Sequence, residues 1–500
     1  MIETDVLIAG FGPTGATLAA LLGKAGVRTL VIERDREIYR QPRAAHFDHE
    51  IMRVWQKLGI AEDLLPSIRA MNEYEFRNAA GEILIRFDQQ GISTPSGWAP
   101  SYMFHQPALE QALRTRVAML SSVDVKLGAA LLAIERNDAD GVTVAISDDN
   151  GDSQSVRACY LVGADGGASL VRRQSDAELF DYGFDEPWLV IDTIVTDEAG
   201  LPPFGVQLCD PKRPTTIMPM APLRRRWEFM LKPDEEAQAM LDDAHIAKLL
   251  KPWVREGQAE IVRKAVYRFH GVVAKAWRKE SVFLAGDAAH QMPPFMGQGM
   301  CSGIRDADNL AWKLIAVLRG EASDALLDTY QEEREPHVRT IIEAAIHMGR
   351  VVCVQDEMAA AERDKGMIAA RAARRAKNND PLPGLPGLAA GCLMKSPRAG
   401  ELFPQAVRAA AGGERGRLDD VLGDGFWLIT RNGVAADGWP KHIKCVALGR
   451  DVTDEDGRLD RWLDTIEAPA VLVRPDRYVF GTGAPANLRH AFDASMNHAS

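Results

Sequence analysis

The sequence predicts an α/β protein, and three segments in which a buried strand runs through a glycine turn into a helix carry that prediction. The turns read G-F-G-P-T-G near the N-terminus, A-D-G-G-A-S in the second segment and G-D-A-A-H in the third. Alternation of strands and helices of this kind is typical of α/β folds.

The N-terminal segment has the order of a Rossmann-like dinucleotide-binding unit. A buried strand at 4–9 leads into the glycine turn, a small-residue helix covers 16–25, and the next strand ends at Glu33. In such units the pyrophosphate lies on the helix N-terminus and an acid roughly 20 residues later binds the ribose. The alternative for Glu33 is an ordinary solvated strand end. The residues predicted to hold an adenine dinucleotide here are Gly10, Gly12, Pro13, Thr14, Gly15, Glu33 and Arg34.

The third segment has the pattern of a flavin site. A short apolar strand enters Gly286 and Asp287, a Pro- and Gly-rich loop follows, and a helix is predicted to begin near Met300. Gly297 and Gly299 let backbone amides approach a ligand, and the carboxylate of Asp287 can accept hydrogen bonds from a sugar or ribityl hydroxyl. An ordinary strand-to-helix connection is the alternative, since Gly and Pro occur in loops everywhere.

Composition excludes several classes of function. The 500 residues, 46% of them hydrophobic, are enough for two or three domains with a large core. A net charge of −11 disfavours a nucleic-acid partner. The apolar stretch at 6–27 is interrupted by Gly and Pro, which argues against a membrane span or a secretion signal, so we expect a cytoplasmic protein. Six dispersed cysteines without a C-x-x-C motif predict reduced thiols and no metal site.

Two side chains between the first and second turns are candidate cofactor contacts. Arg43 precedes a segment with helical spacing, where its guanidinium either reaches a phosphate or ribose of the cofactor or stays exposed on a loop. Gln106 stands just before Pro107 at a helix start, so its amide is placed to cap the helix or to face a ligand.

The segment 181–273 is predicted to be a β-sheet laid over the flavin, with inward side chains forming the roof of a substrate pocket. Alternation selects Gln207 and Met218 as inward residues, although the sequence leaves open which face looks inward. The predicted strands are 188–193, 205–209, 215–218, 226–231 and 266–273.

The C-terminal part begins with a long helical stretch from 331 to 377, predicted to break at Pro336, and continues into a linker at 378–387. Strands at 426–429 and 443–448 and a hairpin at 470–480 then predict a small domain. The predicted division is 1–180 with 274–345 for the dinucleotide domain, 181–273 for the roof, 346–386 for helix and linker, and 387–500 for the C-terminal domain.

The three turns, together with the runs M-P-P-F-M-G-Q-G-M and G-I-R-D-A-D-N-L-A-W-K-L, resemble the group A (single-component) FAD-dependent aromatic hydroxylases. The resemblance covers essentially the whole chain and is strongest to the 3-(3-hydroxyphenyl)propionate hydroxylase branch. It implies a glutathione-reductase-like FAD-binding domain, an inserted substrate sheet and a thioredoxin-like C-terminal domain. That domain lacks the C-x-x-C needed for redox work, so we expect it to be structural or to support a homodimer.

The resemblance also implies an activity and a set of cofactors. FAD is bound, NADH or NADPH is a transient reductant, and O2 and a small phenolic substrate react through a flavin C4a-hydroperoxide. By motif, Gly10, Gly12 and Gly15 hold the pyrophosphate, and Glu33 the adenosine ribose. The other residues carried over are Arg43 and Gln106 at the cofactor's outer surface, Asp165 at the second turn, Gly286 and Asp287 at the ribityl chain, and Pro294, Gly297, Gln298, Gly299 and Met300 along the isoalloxazine.

Three further residues are candidates for the substrate pocket. Phe47 and Phe295 flank the flavin motifs, where they either sandwich an aromatic ring or belong to the core. His46 stands where relatives usually have a small residue, so its imidazole either takes a phenol's proton or hydrogen-bonds the substrate, or else lies behind the pocket wall. His290, despite its place in G-D-A-A-H, is expected to shape the loop.

Other function classes share part of this pattern. A flavin-dependent halogenase is disfavoured because the chain has no W-x-W-x-I-P motif. A non-oxygenating flavoprotein, either a dehydrogenase or a redox-responsive binding module, would keep both glycine motifs and need no substrate roof. A tailoring hydroxylase that acts on a larger polyketide-type aromatic is a further alternative.

Overall fold

In the computed structural model of the protein, the described residues are 1–40, 43–148, 151–376, 384–431 and 433–496. None of the helices in these ranges combines the length and the apolar character that crossing a bilayer requires. The linker predicted at 378–387 lies mostly outside the described ranges, in 377–383.

The first part of the chain supplies most of the dinucleotide-binding layer. Its strands are β1 Ile2–Ala9, β2 Thr29–Glu33, β3 His46–Asp48, β4 Arg69–Ala70, β5 Glu73–Asn78, β6 Ile83–Asp88, β7 Ser101–Met103, β8 Val123–Leu127, β9 Leu131–Asp138, β10 Gly141–Ser147 and β11 Ser153–Gly163. Its helices are α1 Pro13–Lys24, α2 His49–Leu58, α3 Ala61–Leu64, α4 Gln106–Ala118 and α5 Leu170–Gln174.

The sheet of this layer is parallel at its centre, as the alternation of strands and helices predicts. β1 pairs in parallel with both β2 and β11, and β2 pairs with β8. β1 and α1 supply fully buried core residues such as Val6 and Leu18. The parallel strands therefore bring the glycine turn and the end of β11 to the same edge of the sheet.

A second eight-stranded sheet forms the roof; it contains β5, β6, the strands named in the next sentence and β19 His290–Gln291, in the order β19-β16-β12-β15-β14-β13-β5-β6. The new elements are β12 Leu179–Val195, β13 Gly205–Cys209, β14 Thr215–Pro219, β15 Arg224–Met230, α6 Ala237–Met240, α7 Asp243–Leu250 and β16 Ala259–Ala274. The sheet also contains β5 and β6, which come from a segment that the sequence division gave to the dinucleotide domain. Their polar, mixed spacing gave no signal that they leave that domain.

The flavin loop and the helices behind it follow the roof. They comprise β17 Arg278–Lys279, β18 Val282–Leu284, β19 His290–Gln291, α8 Gly299–Leu318, α9 Thr329–Val352 and α10 Glu357–Ala376. Helix α9 runs through Pro336, so the predicted break there is wrong; the interruption comes after Val352. Tyr330, Val338 and Ile342 on its buried face are fully enclosed, and their packing outweighs the backbone hydrogen bond that the proline removes.

The C-terminal domain contains a four-stranded sheet in the order β23-β22-β25-β26, with one parallel and two antiparallel pairs. Its elements are β20 Ala409–Ala411, β21 Glu414–Gly416, α11 Leu418–Leu422, β22 Phe426–Thr430, β23 Ile443–Ala447, β24 Val452–Asp454, α12 Arg458–Asp464, β25 Ala470–Val473, β26 Val479–Thr482 and α13 Pro485–Met496. The predicted strands are present. The thioredoxin-like assignment stays a prediction.

Candidate active site

A cavity of about 1130 Å³ lies between the glycine turn, the flavin loop and the roof sheet. Its walls bring together predicted site residues that lie up to 288 positions apart in the sequence, from Gly12 to Met300. The predicted residues in its lining are Gly12, Pro13, Thr14, Arg43, His46, Gln106, Gln207, Met218, Asp287, Pro294, Phe295, Gly297, Gln298, Gly299 and Met300.

The three glycines of the first turn have different tasks. Gly10 has a φ of +103°, and a Cβ there would stand 2.3 Å from the Ala164 carbonyl oxygen, while a Cβ on Gly15 would stand 2.1 Å from the Gly10 oxygen. These two glycines let the turn close against the sheet. A Cβ on Gly12 would meet nothing within 4 Å, because this glycine faces the cavity in front of α1. The open space and the helix N-terminus fit a pyrophosphate.

The carboxylate of Glu33 lies beside this turn. It accepts hydrogen bonds from the backbone N–H of Phe11 at 2.8 Å and of Asp35 at 3.0 Å. Each oxygen keeps a further lone pair, so ribose binding by Glu33 stays a prediction. The Arg34 side chain is 77% exposed and lies 3.7 Å from Asp35.

Gln106 fixes the chain that enters β3. Its Oε1 accepts from the backbone N–H groups of both Arg43 and Ala44 at 2.8 Å, and its Nε2 donates to Glu110 at 2.7 Å. Gln106 therefore positions the cavity wall in addition to lining it. The Arg43 guanidinium is on the exposed side, 5.4 Å from the ring of Tyr39.

The structure corrects the role of Asp165. Its carboxylate accepts from the Ser169 hydroxyl at 2.5 Å and from the backbone N–H groups of Leu170 and Val171, so it caps α5 instead of facing the cavity. Short polar side chains satisfy free amides at helix starts in this way. Ala164 and Gly166, on either side of Asp165, line the cavity, so this turn contributes backbone rather than a carboxylate.

The turn before the flavin loop is held from behind by a buried network. Gly286 has a φ of +62° and its N–H donates to Asp306 at 3.0 Å. The same carboxylate contacts His290 Nε2 at 2.7 Å and accepts from Arg334 Nε at 3.0 Å. His290 is buried in this network, which is the loop-shaping position that the sequence predicted. Gly286 itself lies outside the cavity lining and acts as a turn residue.

Asp287 is the residue that this turn presents to the cavity. Its side chain is exposed to the cavity and has no hydrogen bond or ion pair with another described residue, and the surrounding wall desolvates it enough to raise its pKa above the ordinary value. A ligand that fills the cavity and excludes water from this carboxylate has to supply hydrogen bonds in return. Hydroxyl groups of a ribityl chain would do so, and this orphan acceptor is the clearest sign that the site fits a flavin.

The flavin loop is fixed by contacts on its protein side. Gly297 has a φ of +63°, and a Cβ there would stand 2.7 Å from His46 Nδ1. The Gln298 amide turns inward, where it donates to Asp48 at 3.1 Å and accepts from Arg305 Nη1 at 3.0 Å. Helix α8 begins at Gly299, which leaves its first backbone N–H groups free to meet an electron-rich ring edge.

His46 lies against this loop. Its Nδ1 is 3.1 Å from the Gly297 carbonyl oxygen, and because a carbonyl only accepts, Nδ1 carries the hydrogen. Nε2 is then the basic nitrogen, and it has no hydrogen-bond partner among the described residues. Burial, partly opposed by Asp48, lowers the pKa of His46 below its ordinary value. The imidazole is therefore neutral at pH 7 and able to accept a proton.

The two phenylalanines of the predicted ring sandwich have separate locations. Phe47 is fully buried and stacks on Tyr102 with ring centroids 5.3 Å apart, so its assignment to the substrate is wrong. Side chains alternate along β3, which turns His46 to the cavity and Phe47 to the core. Phe295 lines the cavity and packs edge-on against Trp188 at 5.7 Å.

The roof presents a polar face that the sequence prediction mostly missed. Arg226 donates to Asp192 at 2.7 Å, and Arg263 donates to the same carboxylate at 2.9 Å. In β15 the polar residues Arg226 and Glu228 alternate with Trp227 and Phe229, which are buried on the other side of the sheet. That alternation in R-R-R-W-E-F-M was the available signal. Cavity-lining roof residues that the prediction lacked include Val190, Thr216, Arg226, Glu228, Arg263 and Tyr267.

The C-terminal domain supports the site from outside. Arg305 in α8 donates to Asp48 at 2.6 Å and to Glu50 at 2.7 Å, and the Tyr478 hydroxyl donates to Glu50 at 2.6 Å. Asp48 in turn holds the amide of Gln298. Tyr478 of the C-terminal domain is thus linked through Glu50 to Arg305 in α8, the helix behind the flavin loop.

Two family models match the chain. The FAD binding domain model covers residues 3–345, and the HcaD C-terminal domain model covers residues 440–498. The first match spans the glycine turn, the roof and the flavin loop. FAD is therefore the cofactor of the cavity that these elements enclose.

Relatives named as hydroxylases match nearly the full chain. A probable NADH-specific resorcinol 4-hydroxylase of Rhodococcus jostii (strain RHA1) is 40% identical, with 96% of this chain and 92% of the relative covered. A 3-(3-hydroxy-phenyl)propionate/3-hydroxycinnamic acid hydroxylase of Mycobacterium sp. (strain JLS) is 35% identical over 96% of this chain and 89% of the relative.

Solved structures show the same fold. The flavin-dependent monooxygenase PieE, in complex with FAD and substrate, superposes with a TM-score of 0.83 at 22% identity, and aklavinone-11 hydroxylase, in a ternary complex with FAD and aklavinone, with 0.81 at 25% identity. Each alignment covers 99% of both chains. With the relatives above, this shows that the chain belongs to the single-component FAD-dependent aromatic hydroxylases, in the branch of the 3-(3-hydroxyphenyl)propionate hydroxylases.

Proposed function

We propose that this hydroxylase acts on a small uncharged phenol of the resorcinol type and uses NADH as its reductant. The observation that carries the proposal is the pairing of the roof arginines: Arg226 and Arg263 both donate to Asp192, and Arg268 pairs with Asp185, which leaves no unpaired Arg or Lys for a substrate carboxylate among the described roof residues that line the cavity. The 40% identical relative named as an NADH-specific resorcinol 4-hydroxylase supports the same choice.

When bound, FAD takes electrons from the nicotinamide and activates dioxygen. The chain's own residues bind, orient and exclude water. Gly12 and the start of α1 would hold the pyrophosphate, Asp287 would accept hydrogen bonds from ribityl hydroxyls, and the backbone of 297–300 would lie along the ring. Apolar residues close the cavity around the reacting ring, which limits unproductive loss of the activated oxygen. These are Met292, Phe295, Met296 and Met300.

His46 is assigned the proton of the phenol. Its neutral imidazole has a hydrogen on Nδ1, held by the Gly297 carbonyl, so Nε2 is the atom that accepts. Removal of the phenol proton raises the electron density of the ring carbons, and an electron-rich ring is the better nucleophile toward an electrophilic oxygen. His46 therefore activates the substrate rather than the cofactor.

The test is substrate-dependent turnover by the FAD-loaded enzyme. NADH oxidation, oxygen uptake and hydroxylated product should rise together with resorcinol, and less with 3-(3-hydroxyphenyl)propionate or with a fused polyketide phenol. Comparison with NADPH tests the reductant. Anaerobic turnover with an artificial acceptor and no oxygenated product would instead identify a dehydrogenase, and a preference for the carboxylated phenol would contradict the proposed substrate class.

We further propose that the enzyme acts in the cytoplasm, where NADH is available, and that it forms a homodimer. Light scattering on the purified holoenzyme tests the assembly: a mass near 110 kDa, about twice the 54.9 kDa chain, is expected. A mass of one chain would contradict the dimer.

A further inference from the structure

Three polar side chains form a row across the roof. Gln207 in β13 is the direct cross-strand neighbour of Thr216 in β14, and Thr216 is the neighbour of Glu228 in β15. All three line the cavity, and none is more than 5% exposed. Cross-strand neighbours on one face of a sheet contact each other, so the row acts as one surface.

Two members of the row satisfy each other. The Thr216 hydroxyl donates to Gln207 Oε1 at 2.7 Å, and Gln207 Nε2 donates to the Thr215 carbonyl at 3.1 Å. Glu228 differs from them. It has no hydrogen bond with a described residue, and its contact with Arg226 is 3.8 Å long, beyond hydrogen-bond distance. Arg226 directs its shorter hydrogen bonds to Asp192 and to the Arg43 carbonyl.

We propose that Glu228 determines substrate specificity by hydrogen-bonding a second ring hydroxyl, the one that His46 does not deprotonate. This proposal rests on the proposed function, because it names the group that selects an uncharged dihydroxybenzene at the same site. A buried carboxyl group without a hydrogen-bond partner is costly even when a cation lies 3.8 Å away, and a hydroxyl of the substrate supplies the missing hydrogen bond.

The charges around Glu228 decide what it rejects. Arg226 and Arg263 favour its ionised form, Asp192 disfavours it, and the Tyr74 hydroxyl adds no charge; burial is the largest influence and raises its pKa. Either protonation state can pair with a hydroxyl, since a carboxylate accepts and a carboxylic acid also donates. A substrate carboxylate instead meets a like charge or must bind with an extra proton. Glu228 therefore disfavours aromatic acids.

The experiment compares ligands that differ by one group. Dissociation constants for resorcinol, phenol and 3-(3-hydroxyphenyl)propionate are measured from the change in flavin absorbance on binding to the holoenzyme, for the wild type and for Glu228→Ala and Glu228→Gln. Glu228→Ala should weaken resorcinol by about 10-fold or more while changing phenol by less than about 2-fold. Glu228→Gln should keep resorcinol within about 3-fold of the wild type and strengthen binding of the aromatic acid.

The matched control is Glu260→Gln, an exposed glutamate on β16 of the same sheet, which should change none of the three constants. Equal losses for resorcinol and phenol in Glu228→Ala, or no loss for either, would overturn the role of Glu228. These outcomes differ from failure of the proposed function, in which wild-type enzyme would not oxidise NADH faster with any of the three ligands. If Glu228→Ala does not fold, Glu228→Gln still tests the proposal. The ratio of its dissociation constants for the aromatic acid and for resorcinol should differ from the wild-type ratio, and an unchanged ratio contradicts the proposal.

Discussion

The molecule contains two clusters of buried charged side chains that differ in their surroundings. At the contact between α8, α9 and the β25–β26 turn, Arg474 donates to Glu333 at 2.7 Å and to Asp476 at 2.5 Å, and Lys313 lies 2.9 Å from Glu333. In the roof, Arg226 and Arg263 share Asp192. The first cluster is enclosed by protein on all sides, with side chains that are 0–3% exposed. The second lines the cavity.

The difference separates stability from function. In the enclosed cluster two cations meet two anions, and Asn309 and Trp312 complete the hydrogen bonds of the carboxylates. The cavity retains orphan groups, among them Asp287, His46 Nε2 and Glu228. Atoms without a hydrogen-bond partner in the protein are available to ligands. Substitutions at the enclosed cluster should therefore weaken folding, and substitutions at the cavity should weaken binding or turnover with little loss of stability.

The largest effect is expected from Arg474→Ala. Removing the shared cation leaves Asp476 as a buried uncompensated charge and Glu333 with Lys313 as its one remaining cation, which should cost about 3–5 kcal/mol of the free energy of unfolding. Denaturant unfolding of the holoenzyme, followed by tryptophan fluorescence, measures it. The control is Arg489→Ala, which breaks a half-exposed pair with Asp493 in α13 and should cost about 1 kcal/mol or less. Equal costs for the two variants would remove the distinction between the clusters.

His46→Ala should lower hydroxylation by about 10²-fold or more while FAD stays bound and the melting temperature stays within a few degrees. More of the consumed oxygen should leave as hydrogen peroxide, because an unactivated ring reacts slowly. The lowered pKa of His46 places the acidic limb of the wild-type profile below pH 6.5, lower than the ordinary histidine range. Activity is lost as pH falls through the lowered pKa of His46, and the variant should lack this limb. An exposed histidine on α13, in His490→Ala, serves as control.

If the peroxide-to-product ratio and the pH profile of His46→Ala both match the wild type, His46 is a bystander. The group that activates the phenol would then have to be sought in the roof.

Asp287→Ala should weaken FAD binding by about 10- to 100-fold, as expected for a lost hydrogen bond to a charged acceptor. Without FAD, loss of the Asp287 charge should have the opposite effect and stabilise the protein. The raised pKa of Asp287 means that its contribution to stability is present below the ordinary pKa and is lost as pH rises through the folded value. Asp287→Asn should therefore stabilise the apoprotein at pH 7 and not near pH 3.5. Unchanged FAD retention would contradict the ribityl contact.

The smallest effect is expected inside the C-terminal domain, at Asp454. Its carboxyl lies beside Asp456, and burial with that neighbour raises the pKa of Asp454 to about 6. Stability from the bound proton is complete below the ordinary aspartate pKa and is lost as pH rises through 6. Asp454→Asn should raise the melting temperature slightly at pH 7.5 and leave it unchanged near pH 3.5. An equal shift at both pH values would show that the carboxyl is not the cause.

Many of the residues that line the cavity were predictable from the sequence because glycine turns and helix starts are local. Gly12, Asp287 and the run 297–300 line one cavity, as their motifs predict. Local order also predicted the roof strands, and β13 has the predicted bounds. Asp165 and Phe47 were misassigned because a motif gives the position of the backbone and does not say which way the side chain turns.

The α/β order, the cofactor turns and the candidate base His46 were predictable from the sequence alone, since each depends on residues within a few positions of one another. Only the tertiary structure decided that β5 and β6 join the roof, that Asp192 pairs both roof arginines, and that Tyr478 supports Glu50 from the C-terminal domain. These contacts join residues 34 to 428 positions apart. Their partners are chosen by packing and by the cost of leaving buried charges unpaired, and neither is expressed in the spacing of a local motif.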